Sequence, residues 1–156
     1  LIIFFFSSFS SLANEIAIVD INFLLKNSNE GKAIDKEFKS QNEKNLYSFK
    51  KKEKELKDKE NKIASKKNVL SKEDFKKEVQ AFSEEVKKYN KGRKEKINKT
   101  NNQNNEKVVK LLKKINSILV DYSKENDIST TLDKKYVIMT KKENDITKKI
   151  LEILNK

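Results

Sequence analysis

The sequence contains no cysteine and no histidine, which removes many of the side chains that carry enzyme chemistry. Without them the chain can form no disulfide, thiol nucleophile, histidine general base or zinc site of the usual Cys/His kind. With only two glycines, Gly31 and Gly92, it also lacks the glycine-rich loop that cradles phosphates. Adjacent carboxylates such as Glu84 and Glu85 project from different sides of a helix, so a paired acid/base site is not expected. We therefore expect no enzyme activity, no metal and no cofactor.

Proline is absent as well, so no residue forces a break in a long helix. Hydrophobic residues make up 35% of the chain and charged residues 38%, a balance typical of long solvated helices rather than of a compact globule. Intrinsic disorder is the alternative for so polar a chain. The apolar residues recur periodically rather than at random, which favours the helical interpretation.

The net charge is +12, and Arg93 is the one arginine among 36 basic residues. A basic surface attracts acidic proteins, anionic membrane surfaces or nucleic acid. Proteins that read nucleic-acid sequence use arginine for bidentate contacts, so the scarcity of arginine argues against sequence-specific binding. A lysine- and asparagine-rich composition is explained equally well by an AT-rich genome.

The beginning of the chain resembles part of a secretory signal peptide. Leu1 to Ala13 combines an apolar run with small residues, and Ser11 and Ala13 stand at positions −3 and −1 before Asn14. The run is too short to span a bilayer, and a buried strand is the alternative. We expect residues 1–13 to be removed and the mature chain, residues 14–156, to be exported across a membrane.

Residues 31–107 are predicted to form a long antiparallel coiled-coil hairpin that turns near residues 70–71. Apolar residues recur at heptad-like spacing in both arms, which predicts a seam between them. They are Ile34, Phe38, Leu46, Phe49, Leu56, Ile63 and Leu70 in the first arm, and Phe75, Val79, Phe82, Val86 and Tyr89 in the second. This turn places Ile34 opposite Lys107. Residues 98–105 contain no apolar side chain, so a kink or local fraying is expected there.

The flanking segments, residues 14–30 and 108–156, are predicted to form one small body that contains strands. Its β-rich runs are residues 16–21, 127–132 and 136–140, and residues 145–154 have the spacing of a short amphipathic helix. The predicted fold class is therefore α+β and mostly α. Because such a body has a small core for one chain, we expect it to self-associate. The residues expected to build the oligomer are Ile16, Ile18, Val19, Ile21, Tyr136, Val137 and Ile138.

The two ends of the mature chain resemble the Skp/OmpH family of periplasmic chaperones. The resemblance rests on IAIVDI near the mature N-terminus, on SNEGKA before the hairpin, and on DISTTLD, YVIMT and DITKKILEIL at the other end. It implies a homotrimer in the periplasm, whose helical prongs surround a cavity. It further implies that the cavity holds unfolded outer-membrane β-barrel proteins, without ATP. A lipopolysaccharide-binding patch has been proposed in the family, but no motif for it is matched here.

Five apolar residues of the hairpin are candidates for client contact or for the seam: Phe49, Phe75, Val79, Phe82 and Tyr89. Their spacing favours the seam, which leaves seam edges and the methylene stems of lysines for the client. A structural coiled-coil protein of the cell envelope remains an alternative, as does a basic helical binder of an anionic membrane surface or lipopolysaccharide. Export argues against nucleic acid as the partner.

Overall fold

The computed structural model describes residues 15–156, so the predicted signal peptide, residues 1–13, lies outside the described residues. The predicted fold class is confirmed, because a two-stranded sheet accompanies long helices. The elements are β1 (Glu15–Val19), α1 (Ile21–Asn27), α2 (Asn29–Ser65), α3 (Lys72–Glu125), β2 (Ile128–Asp133) and α4 (Thr147–Leu154). No helix in this part of the chain is long and apolar enough to cross a membrane.

Contacts divide the described residues into two units, each with its own set of internal contacts. Residues 15–31 and 111–156 form one of them, called the terminal unit below, and residues 32–110 form the other, called the arm unit. Helices α2 and α3 contribute residues to both units.

Strand β1 is the centre of the terminal unit because both of its edges are used. β2 pairs with it in parallel, with Ile18 opposite Leu132. At the other edge the Ile146 amide donates to the Ile18 carbonyl at 2.9 Å. Both faces of the strand are also covered from Ala17 onward, since Ala17, Ile18 and Val19 are each at most 3% exposed. The rest of this core consists of Leu24, Leu111, Ile115, Leu119, Ile146, Ile150 and Leu154.

The corner between α1 and α2 depends on a serine and a glycine. The Ser28 hydroxyl is fully buried and accepts a hydrogen bond from the Gly31 amide at 3.1 Å, which caps the first turn of α2. A methyl group on Gly31 would lie 1.8 Å from the carbonyl oxygen of Leu25. Only glycine permits so close an approach of the two helices.

Two of the predicted strands differ in the structure. The strand at residues 16–21 ends at Val19, because the Asp20 carboxylate accepts from the Phe23 amide at 2.8 Å and starts α1 at Ile21. The strand predicted for residues 136–140 is wrong. The Asp133 carboxylate caps a 3-10 turn at Lys134–Tyr136, and the segment beyond it is irregular. Propensity alone does not make a strand where no partner strand lies beside the chain.

In the arm unit, α2 and α3 are joined by a turn at residues 66–71, close to the predicted one. The Ser71 hydroxyl accepts from the Asp74 amide at 3.1 Å and so caps the first turn of α3. Helix α3 continues through residues 98–105 without a break. The predicted fraying is absent, and Thr100 links this stretch to α2. Its hydroxyl donates to the Lys96 carbonyl and accepts from the buried Asn45 side chain, each at 3.0 Å.

The seam between the arms alternates apolar and polar layers. Phe49, Leu56 and Ile63 are buried in it, as predicted from their seven-residue spacing. Asn45 is also buried, whereas Leu46, which the sequence places in the seam, is 52% exposed. Lys107 forms an ion pair with Glu37, and Ile34, one turn before Glu37, lines the same small groove as Lys107.

Candidate functional site

The terminal unit exposes an apolar segment that folding of one chain leaves uncovered. Tyr136 is 78% exposed, Met139 89% and Ile138 fully exposed. Within residues 15–156, β2 pairs only with β1, so its outer edge is open. Exposed apolar side chains beside an open strand edge are typical of a protein–protein interface.

An open cavity of about 870 Å³ lies next to this segment. It brings together Ile16, Ile18 and Val137 of the predicted oligomerisation set, with Met139 beside them. The other members lie elsewhere: Val19 is buried in the core, Ile21 is half-buried at the start of α1, and Tyr136 and Ile138 face outward. Met139 belongs to the same β-rich run, and its exposure could not be read from the sequence.

An ion pair fixes the beginning of the exposed segment to the core. The Lys134 ammonium lies 2.6 Å from the Asp145 carboxylate, which stands beside the buried Ile146. Burial opposes ionisation of Asp145, but hydrogen bonds from Lys134 and Thr147 outweigh it and lower the pKa. The same hydrogen bond raises the pKa of Lys134. Both groups are therefore charged at neutral pH, and they hold the 3-10 turn in place.

The arm unit holds the five residues predicted either to contact a client or to fill the seam. Phe49 is buried in the seam, Phe75, Phe82 and Tyr89 are half-buried, and Val79 is 42% exposed. The Tyr89 hydroxyl donates to Glu53 at 2.8 Å, which ties this ring to the other arm. The most exposed apolar side chains of α2 are two that the heptad pattern did not single out for contact, Leu46 and Tyr47.

Lysine–glutamate clusters alternate with the apolar layers and join the two arms. The Glu85 carboxylate lies 3.0 Å from the Lys52 ammonium and 2.6 Å from that of Lys59. Lys66 and Glu78 form a similar pair at 2.8 Å near the turn. Hydrogen bonds from Lys59 and Lys52 hold the pKa of Glu85 below its ordinary value of 4.5. The bond to Glu85 raises the pKa of Lys52 from its ordinary 10.5.

Replacing Glu85 with glutamine is expected to flatten the acid-side pH dependence of stability. A carboxyl whose pKa is lower in the folded chain stabilises fully above its unfolded pKa, and that contribution is lost as pH falls through the folded pKa. The contribution of Glu85 should therefore decline as pH drops below 4.5. Circular-dichroism melts of the mature chain over a series of pH values would measure the slope.

Glu84→Gln is the matched control, because Glu84 pairs with Lys87 of its own helix and not with the other arm. The control should keep the wild-type acid-side slope while Glu85→Gln reduces it. Equal slopes in the two variants would show that the contacts between the arms do not set the acid sensitivity.

The described residues contain no cluster of histidine, cysteine, aspartate or glutamate suited to a metal ion.

Comparisons with known proteins point to one family. The model of a family described as outer membrane protein (OmpH-like) matches residues 15–154. A crystal structure from Caulobacter crescentus CB15, assigned as an OmpH-like outer membrane chaperone, has a similar fold with a TM-score of 0.83. The two sequences are 13% identical, and the match covers 90% of this chain and 83% of the other. No curated protein shows a significant match.

Proposed function

Because this chain belongs to the OmpH-like family of outer membrane proteins, we propose that it is a holdase chaperone of the periplasm. In this proposal it binds unfolded outer-membrane β-barrel proteins without ATP and prevents their aggregation. The observation that carries the proposal is the family match over residues 15–154, which includes both the strands and the long helices. An enzyme is not proposed, since the sequence lacks the histidine and cysteine on which most side-chain catalysis depends.

The working form is proposed to be a homotrimer assembled through the terminal unit. The open edge of β2 and the exposed Tyr136, Ile138 and Met139 support this part of the proposal. Both features leave polar backbone groups and apolar side chains in water in a single chain, and a second copy would cover them. The helical arms of three copies would then enclose the space in which a client is held.

Client binding is proposed to rely on many weak contacts along the arms. Leu46 and Tyr47 are exposed there, and lysine stems provide further methylene groups. The net charge of +12 would attract acidic clients and keep loaded complexes apart by mutual repulsion. Contacts of this kind let an unfolded client remain mobile, and its release then needs no nucleotide.

The proposal is tested by diluting a urea-unfolded outer-membrane β-barrel protein into buffer with and without the mature chain, in the absence of nucleotide. Static light scattering would follow aggregation, and multi-angle scattering after size exclusion would give the mass of any complex. We expect a trimer that takes up the client in a soluble complex. A monomer or dimer that leaves the client to aggregate would contradict the proposal and favour a structural coiled-coil protein of the envelope.

Anionic membrane surfaces and lipopolysaccharide remain the second partner class, since Lys88 and Lys110 of α3 are exposed and make no ion pair within residues 15–156. Such binding would be electrostatic, so it should fall steeply with added salt. Uptake of a β-barrel client into the soluble complex should depend less on salt, because apolar burial contributes to it.

A further inference from the structure

A cleft on the side of the arm unit combines aromatic rings with positive charge that is only partly neutralised. Its volume is about 510 Å³, and its walls include Phe49, Tyr89, Lys88, Gly92, Arg93 and Lys96. The Arg93 guanidinium lies 5.2 Å and the Lys96 ammonium 5.9 Å from the centre of the Phe49 ring. The ring thus forms an apolar floor, and cation–π contacts hold two positive groups above it.

The charge of the cleft is only partly balanced by the protein itself. Its one carboxylate, Glu85, is already bonded to Lys52 and Lys59. Glu53 forms an ion pair with Arg93 at 3.7 Å, without a hydrogen bond, which leaves the donor groups of the guanidinium available. Lys88 and Lys96 make no ion pair with any carboxylate in residues 15–156. The cleft therefore favours an anionic ligand.

Two unusual residues of the sequence, an interior glycine and the single arginine, both line this cleft. Gly92 stands in the interior of α3, where glycine is a poor helix former, and no atom lies within 4 Å of the position its Cβ would take. Packing does not require a glycine here, but its missing side chain keeps the cleft open. The next residue, Arg93, is the only arginine of the chain, and arginine is the side chain that binds carboxylates through two parallel hydrogen bonds.

We propose that this cleft binds short acidic segments of unfolded clients, in which a carboxylate side chain lies next to an aromatic or aliphatic one. Arg93 receives the carboxylate, Lys88 and Lys96 add attraction, and the neighbouring apolar side chain rests on the half-buried ring of Tyr89. This inference rests on the proposed chaperone function and adds to it the chemistry of the segment that is recognised. Such a site would select acidic loops of a client, whereas the exposed apolar residues of the arms would bind its strands.

The test uses the mature chain and a short fluorescein-labelled peptide that contains two Asp-Phe pairs, with fluorescence anisotropy as the measurement. Arg93→Gln is expected to weaken binding about tenfold, and Arg93→Lys by a smaller factor because the charge remains but the fork is lost. Lys94→Gln is the matched control, since it removes one charge from the next residue, which does not line the cleft. It should change the affinity less than about twofold.

Gly92→Leu provides a second variant that should fold well, because leucine is a better helix former than glycine. Its side chain would occupy the cleft and abolish peptide binding. A peptide with asparagine in place of aspartate should bind weakly to every variant. Equal losses in Arg93→Gln and Lys94→Gln would overturn the proposal, as would unchanged binding in Gly92→Leu. Arg93-dependent binding of phosphatidylglycerol vesicles in place of the peptide would identify a lipid site and overturn it too.

The experiments can contradict the proposal for the cleft and the proposal of chaperone function independently. If the chain keeps a β-barrel client soluble but does not bind the acidic peptide, the chaperone proposal is supported and the cleft proposal is contradicted. A chain that binds the peptide through Arg93 but lets the client aggregate would do the reverse.

Discussion

Replacing Gly31 with alanine is expected to destabilise the terminal unit by about 3 kcal/mol, which corresponds to a fall of about 10 °C in the thermal midpoint. The added methyl group would lie 1.8 Å from the Leu25 carbonyl oxygen and 2.9 Å from the Ser28 hydroxyl. The first of these is a backbone atom, so relief requires α1 to move away from α2. Such a movement would disturb the fully buried Leu24 and Ser28. Thermal melts of the mature chain by circular dichroism would measure the change.

Gly92→Ala is the control for Gly31→Ala, because Gly92 also lies within a long helix but has open space around it. There alanine should raise stability by about 0.5–1 kcal/mol, since it is the better helix former. The two substitutions add the same atoms, but Gly31→Ala should lower the stability of the protein and Gly92→Ala should raise it. A Gly31→Ala variant as stable as the wild type would contradict the close approach of α1 and α2.

Replacing Ile138 with aspartate is expected to convert the proposed trimer into a monomer. Ile138 is fully exposed in the single chain, so the substitution leaves the fold of that chain unstrained. In an assembly that covers the side chain, each copy would lose about 1.5–3 kcal/mol of apolar burial and would bury a carboxylate instead. The association constant should fall at least about 100-fold. Multi-angle light scattering at several concentrations would give the mass, and circular dichroism would confirm unchanged helix content.

Val69→Asp is the matched control for this experiment. Val69 is 82% exposed, and Ile138 is fully exposed, but Val69 belongs to the arm unit, in the turn between α2 and α3. It should keep the mass of the wild type. If both variants remain trimeric, the assembly surface is not residues 136–139. If the wild type is itself monomeric, the trimer proposal is wrong.

The sequence predicted the elements of this fold that depend on local pattern. Seven-residue spacing located Phe49, Leu56 and Ile63 in the seam, and the turn between α2 and α3 lies close to its predicted position. The strand at residues 136–140 was mispredicted, because β-branched composition says nothing about whether a partner edge is available. In the single chain Asp133 bends the backbone into a 3-10 turn instead.

The positions of Asn45 and Leu46 could not be predicted from heptads. The structure buries Asn45 and exposes Leu46, whereas the hydrophobic pattern predicts that Leu46 is the buried one of the two. The amide of Asn45 is accommodated because Thr100, 55 residues away, accepts its hydrogen bond. The same pairing joins the polar residues 98–105 of α3 to α2. The cleft beside Phe49 was also missed. An interior glycine followed by the only arginine was the available signal, but the cleft forms only when α2 and α3 meet.

The parallel pairing of β1 with β2 has a consequence for the order of folding. Ser129 of β2 bonds to Glu15 across 114 residues, whereas Lys66 reaches Glu78 across 12. If the distant strands paired first, the chain would have to close a very long loop, which has a large entropic cost. That cost is avoided if the helical layers form first, beginning at the turn and proceeding along the arms. The arms should therefore assemble first and the sheet last, because the chain cannot complete its sheet until residues at both of its ends are present. Pulsed hydrogen exchange should find the Leu56 amide protected before that of Val19.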